Sequence, residues 1–386
     1  MEFNRWLNET IVAFVNIHDS DLSRLLFNTK IAKVPAKSNI KPALDSVLNK
    51  GVSKEFTEKA HLANFLLEHL QAVHKRPASF KHLNSAYKNL IKLYQEDERG
   101  YDYLAIVQDY SIKLYKEGAK VGELGEVVNS LRSFISYCQV TKPFPYSQVV
   151  GLYFALNLAF KVSFRMNNLQ NFTSLLRIVN SQFSKLPSIE HFPKAQQVEF
   201  KYYEGRFYLY EQELAKAEEC LDFAFKVCDK DNFKNKRILL RYLIPIKVYK
   251  GVYPSANLIL KYKLKDLGDL LKALKQGNIQ AFDKVLSQNQ EKFIKQGIFV
   301  MLASLKLLVF RNLFRRTAKI LESCQIKISA LVSAMSVAGV KSISFLEVEC
   351  IVVNLIDKKW LKGYISSALK VLVLSKVDPF PKIAEV

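Results

Sequence analysis

From Arg311 to Leu321 the apolar residues Leu313, Phe314, Ala318 and Leu321 share one helical face, and Arg311, Arg315 and Lys319 line another. A second helix is expected over residues 330–337 with Ser329 as its N-cap, and Gly339 breaks the pattern after it. Ser344 and Glu347 carry the signature of a capping box. The helix behind them sets Phe345, Val348, Ile351, Val352, Leu355 and Ile356 at the helical period. After Trp360 the period falls to two. Leu361, Gly363 and Ile365 alternate with Lys362 and Tyr364, residues 366–368 turn the chain, and Lys370, Leu372, Leu374 and Lys376 alternate with Val371 and Val373. Three helices followed by a two-stranded ribbon make a winged-helix arrangement, a relative of helix-turn-helix.

The chain before this region reads as helices throughout. Trp6, Leu7, Ile11, Phe14 and Val15 mark one amphipathic helix, and residues 33–42 read as a loop. Leu62, Phe65, Leu66, His69 and Leu70 form one stripe; Leu83, Tyr87, Leu90, Ile91 and Tyr94 form another. Further helices are expected over 101–115, 121–137, 149–164 and 169–183. Residues 201–210 and 214–228 pair as a degenerate tetratricopeptide-like unit. Its Gly205, Ala217 and Ala224 let two helices approach, while Tyr208 and Leu221 fill the gap. A second such unit covers 270–286 with Gly277, Ile279 and Ala281. Between them, residues 234–251 form a helix with Pro245 as a kink or break and Gly251 at its end. The expected fold is thus an all-α, right-handed helical-repeat solenoid with a winged-helix cap. Its parts are 1–50, 51–296 (repeats) and 297–386 (cap).

Composition narrows the function. With 386 residues, 49% of them apolar, the chain has material for a large core. No apolar run is long enough to span a membrane, and residues 1–9 lack a signal-peptide pattern, so no membrane partner is expected. Cys138, Cys220, Cys228, Cys324 and Cys350 are odd in number, scattered and set among apolar residues, which fits buried free thiols in a reducing compartment. The net charge of +21 favours polyanionic partners. It is uneven: residues 231–316 hold 18 basic and 5 acidic side chains, and residues 317–386 hold nine and six.

Catalytic chemistry finds no support. His61 and His69 are eight apart and miss the i, i+4 spacing of helical metal ligands. Gly118-Ala-Lys-Val-Gly122 lacks the tail of a phosphate loop and follows a helix instead of a strand. No enzyme activity, cofactor, metal or small-molecule substrate is expected. The basic residues of the cap, Arg315, Arg316, Lys319, Lys341, Lys358, Lys359, Lys362, Lys370 and Lys376, are candidates for phosphate contacts that bind without reading sequence.

Several segments in order resemble the PCI module of proteasome-lid, signalosome and initiation-factor subunits. They are residues 201–206, 217–225, 234–237, 242–247 (Tyr-Leu-Ile-Pro-Ile-Lys), 310–315, 349–356, 362–366 and 374–381. The module spans about 200–381. Within the family the chain looks most like the PCI subunit of the TREX-2 mRNA-export complex. That resemblance implies a non-enzymatic adaptor in the nucleus, at the nuclear pore. It would bind a GANP-type PCI scaffold subunit, a small acidic disordered protein of the DSS/Sem type, and RNA or DNA. On this reading Lys234, Lys236, Arg237, Arg241, Lys247 and Lys250 offer a track for the acidic protein. Ile365, Leu372 and Leu374 are candidates for the scaffold contact, since a strand edge invites pairing. The second reading is a scaffold subunit of a signalosome-type or lid-type complex that binds no nucleic acid.

Overall fold

The computed structural model describes residues 2–16, 24–28, 42, 59–74, 80–96, 100–140, 142–182, 186–340 and 342–383. It forms two compact units, Met1–Tyr203 and Glu204–Val386.

The first unit contains α1 (Phe3–Asn16), a π turn (Arg24–Asn28), α2 (Lys59–His74) and α3 (Phe80–Glu96). A 3₁₀ turn (Gly100–Tyr103) leads to α4 (Leu104–Val121), followed by α5 (Leu124–Tyr137), α6 (Leu152–Arg165), α7 (Leu169–Gln182) and α8 (Lys194–Tyr210), within which the division falls. The two expected stripes, on α2 and α3, are buried as read. Three boundaries differ: residues 101–103 and 149–151 belong to tight 3₁₀ turns, and Val121 closes α4 instead of opening α5. The cause is Gly122, which takes a left-handed φ of 82° and donates its N–H to the Gly118 carbonyl. Trp6 anchors α1 by donating its indole N–H to the Leu25 carbonyl and stacking on the His69 ring. His69 is a core residue hydrogen-bonded to Tyr110, while His61 faces Asn89 and Glu96. The expected loop at 33–42 lies outside the described residues except for Pro42, which is helical.

The second unit continues with α9 (Leu214–Val227), α10 (Phe233–Tyr249), α11 (Ala256–Lys261), α12 (Lys265–Gln276), α13 (Ile279–Gln288), α14 (Gln290–Gln296) and α15 (Phe299–Ser304). Then come α16 (Lys306–Leu321), β1 (Gln325–Lys327), α17 (Ile328–Val337), α18 (Phe345–Asp357), β2 (Gly363–Ser366) and β3 (Val371–Leu374). Helical pairs ending in a winged helix are therefore present. Gly205 lies against Leu221: a Cβ there would sit 2.7 Å from Leu221 Cγ. Ala217, Leu221 and Ala224 are fully buried beside it, which is the close approach the repeat reading requires. Pro245 does not break α10, which runs through it as one helix with Pro245 itself buried.

The cap's ribbon has three strands, not two. Their order is β1-β3-β2, all antiparallel, with Ile326 opposite Leu372 and Ile365 opposite Leu372 on the other side. β1 feeds straight into α17, so Ser329 is not a cap. The helix starts two residues earlier than expected, at Ile328, whose N–H donates to the Lys370 carbonyl in the wing. The Ser344–Glu347 capping box is formed as expected. The cysteine expectation fails at two positions: Cys138, Cys220 and Cys228 are buried, but Cys324 and Cys350 are exposed. Cys350 lies on the solvent face of α18 between Leu346 and Val353, so an apolar setting in the sequence did not mean a core position. Among the described residues no single helix is long and apolar enough to cross a membrane.

Candidate nucleic-acid interface

α16 carries the site because it lies against both the repeat and the cap. Its Asn312 and Arg316, one turn apart, donate to the Leu274 and Gln276 carbonyls at the C-terminus of α12. A cation on those free carbonyls complements the helix dipole. The approach is close because Gly277 ends α12 with a φ of 66°: a Cβ there would lie 2.7 Å from the Leu313 backbone nitrogen.

Arg315 projects from the same helix into solvent beside Tyr253. Burial pushes the Tyr253 hydroxyl's pKa up, and a hydrogen bond with Asn312 and the charges of Arg311 and Arg315 pull it back part of the way. The Lys275 ammonium sits 4.9 Å from the centre of the Tyr253 ring.

A second cluster meets this one through Arg311. That guanidinium is buried, donates to the Trp360 and Pro381 carbonyls, and lies over the Phe380 ring. It holds the loop after α18 in place. In that loop Lys358 donates to the Tyr249 hydroxyl at 3.2 Å and lies over the Tyr249 and Trp360 rings, which contact each other edge to face. Lys359 takes a left-handed φ of 56° to turn the chain, and its side chain and that of Lys362 are exposed.

The structure thus brings Arg315, Arg316, Lys358, Lys359 and Lys362 to the region where α10, α12, α16 and the end of α18 meet. Lys275, Tyr249 and Tyr253 join them. Sequence reading missed these three, and only the register of α12 and α10 against the cap reveals them. Lys370 is elsewhere: it lies over Phe345, at the opposite end of α18 and about 20 Å away by helix rise. Lys319 and Lys376 are exposed, and Lys341 lies outside the described residues. Among the described residues no ion pair to a carboxylate is formed by Arg315, Arg316, Lys275, Lys358, Lys359 or Lys362. α18, the helix that would enter a groove in a helix-turn-helix reader, contains no Lys or Arg. Its cations flank it, an arrangement whose chemistry suits phosphates more than base edges.

Two expectations need correcting. Of the six cations assigned to an acidic partner, four are used inside the fold. Lys236 is buried, donates to the Phe225 carbonyl and lies over the Phe225 ring. Arg241 makes a two-pronged bond to Asp266. Lys247 pairs with Asp222 and Glu218, and Lys250 with Glu218. Acids far away in sequence sit opposite these residues, so net charge overstated the free charge. Lys234 and Arg237 remain exposed. The scaffold assignment is also revised: Leu372 and Leu374 are buried in the cap's own core, since β3 is the central strand. Ile365, on the outer strand β2, is half-buried.

The PCI domain pattern matches residues 286–376, from the end of α13 past β3. "PCI domain-containing protein 2" of Xenopus laevis is 36% identical over 278 residues, covering 71% of this chain and 69% of the frog protein. The protein of the same name in Danio rerio is 35% identical over 236 residues, covering 61% of this chain and 58% of its own. The "Protein CSN12 homolog" of Neurospora crassa is 32% identical over 255 residues, covering 62% and 56%.

Proposed function

The chain belongs to the PCI domain family, and from that premise we propose that it is a non-catalytic adaptor of a nuclear mRNA-export complex at the nuclear pore, joining a PCI-bearing scaffold subunit to a strand of nucleic acid. The observation that supports this most is the set of unpaired cations gathered over Tyr249, Tyr253 and Trp360 where the repeat meets the cap. Phosphates bind such a set through released counterions, and the half-buried Tyr249 and Tyr253 leave part of their rings to the strand, while Trp360 is buried. The scaffold subunit fits the outer edge of β2, where Tyr364 is exposed and Ile365 half-buried, because β1 and β2 already occupy both sides of β3.

Charge reversal at Arg315, Lys358 and Lys362 together is expected to weaken binding to a labelled single-stranded RNA by at least about tenfold at 100 mM salt. It should also reduce the slope of log affinity against log salt by roughly two to three. Fluorescence anisotropy over a salt series, with melting curves to show an intact fold, checks this. An unchanged slope would remove the junction as the site and favour a protein scaffold that meets acidic protein surfaces.

A further inference from the structure

A separate patch lies at the N-terminal end of α10. Phe233, the first residue of that helix, leaves 49% of its surface exposed. Its ring contacts Tyr262, which also touches Phe225, so three rings form a row. Lys261 lies over both Phe233 and Tyr262, and Arg237 bonds the Lys263 carbonyl beside them. Lys234, Arg237, Lys261 and Lys263 are exposed, and among the described residues none is ion-paired to a carboxylate. This contrasts with Arg241 and Lys247 further along α10 and Lys250 just past its end, all of which are paired.

We propose that this patch is a second contact for a single strand of nucleic acid, with one base stacking on Phe233 and neighbouring phosphates on Lys234, Arg237, Lys261 and Lys263. A nucleotide chain carries planar rings and negative charges side by side, which suits an exposed ring set among unpaired cations. Flexible lysine stems leave the ring for a phosphate at little cost. A duplex cannot use the ring, because its bases are stacked internally. The inference rests on the reading that this protein holds a nucleic-acid strand, and it lengthens the track beyond the cap.

The test uses the full chain, a labelled oligouridylate of about 20 nucleotides and an RNA duplex of similar length. Phe233→Leu keeps the patch apolar and removes only the ring. It is expected to weaken single-strand binding about five- to tenfold, leave duplex binding unchanged and leave the salt slope unchanged. Lys234→Gln with Lys261→Gln should instead lower the slope by about one to two. Phe233→Tyr should retain affinity. If Phe233→Leu binds the single strand as the parent does while the Arg315, Lys358 and Lys362 reversals weaken it, the patch proposal falls and the cap reading stands. If Phe233→Leu weakens binding and the reversals do not, the patch stands and the cap reading falls. A synthetic acidic peptide with apolar side chains is the competing occupant, through exposed Ile238 and Leu260. Binding of that peptide, unaffected by Phe233→Leu and lost in Leu260→Ser, together with RNA binding indifferent to Phe233→Leu, overturns the proposal.

Discussion

Replacing Asp266 with alanine is expected to lower the unfolding free energy of the second unit by about 3–5 kcal/mol at neutral pH. Asp266 and Arg241 are 9% and 7% exposed, and the carboxylate takes both prongs of the guanidinium at 2.9 and 3.4 Å. Removing the acid leaves a charge under the surface, with the Gln296 side-chain oxygen 3.3 Å from the guanidinium. Burial alone pushes the Asp266 pKa up, but hydrogen bonds and charges from Arg241 and Lys292 outweigh it and hold the carboxyl below its usual range. A depressed folded value means that the ionised group stabilises the protein fully above the unfolded value of about 3.9. That contribution drains away as pH falls through the folded value. The gap between parent and Asp266→Ala should therefore be constant from pH 6 to 8 and narrow below about pH 4. Urea unfolding at pH 7 and pH 3 measures both. Lys292→Met at the same carboxylate should cost no more than about 1 kcal/mol, because Lys292 is 45% exposed. A large loss in that variant and a small one in Asp266→Ala would reverse the account.

Gly277→Ala is expected to cost about 2–4 kcal/mol and to loosen the cap from the repeat. Two effects add. A φ of 66° strains any residue with a Cβ, for about 1–2 kcal/mol, and the new carbon would lie 2.7 Å from the Leu313 nitrogen and 2.9 Å from its Cα. Both neighbours are backbone, so α16 itself must move, and Arg316 and Asn312 lose their carbonyls on α12. Gly297→Ala separates the terms. Gly297 has a similar φ of 72°, but its nearest neighbour is an Arg206 side-chain nitrogen at 3.9 Å, so only the conformational cost of about 1–2 kcal/mol applies. Equal melting shifts for the two variants would mean that the close approach at Leu313 contributes nothing.

Helix positions were readable wherever a long apolar period met a cap, as at Ser344 and Glu347, where the side chain and backbone bonds of the box are both present. β1 was not readable, since three residues give no alternation to detect. Missing it misplaced the start of α17 and left β3 looking like an edge, which is why Leu372 and Leu374 were assigned to a partner. The charge clusters failed for another reason. Counting cations along Lys234–Lys250 says nothing of Glu218, Asp222 and Asp266, which belong to other helices and arrive only when the repeat packs. The junction was half legible: Arg315, Arg316 and Lys358 could be picked out by type, whereas Tyr249, Tyr253 and Lys275 depend on how helices cross.

Arg311 links two places that look independent in the chain. One end of its guanidinium fixes the Trp360 loop that carries Lys358, and the other grips Pro381 in the tail, where Pro379 also receives the Lys362 N–H. A clone shortened after Lys376, which would pass for a harmless trim when designing crystals or fusions, strips one end of that bridge and uncovers a hidden cation. Loss of the proposed RNA binding in such a shortened protein would report a dislodged loop more than ten residues upstream of the cut, and tags belong at the other terminus.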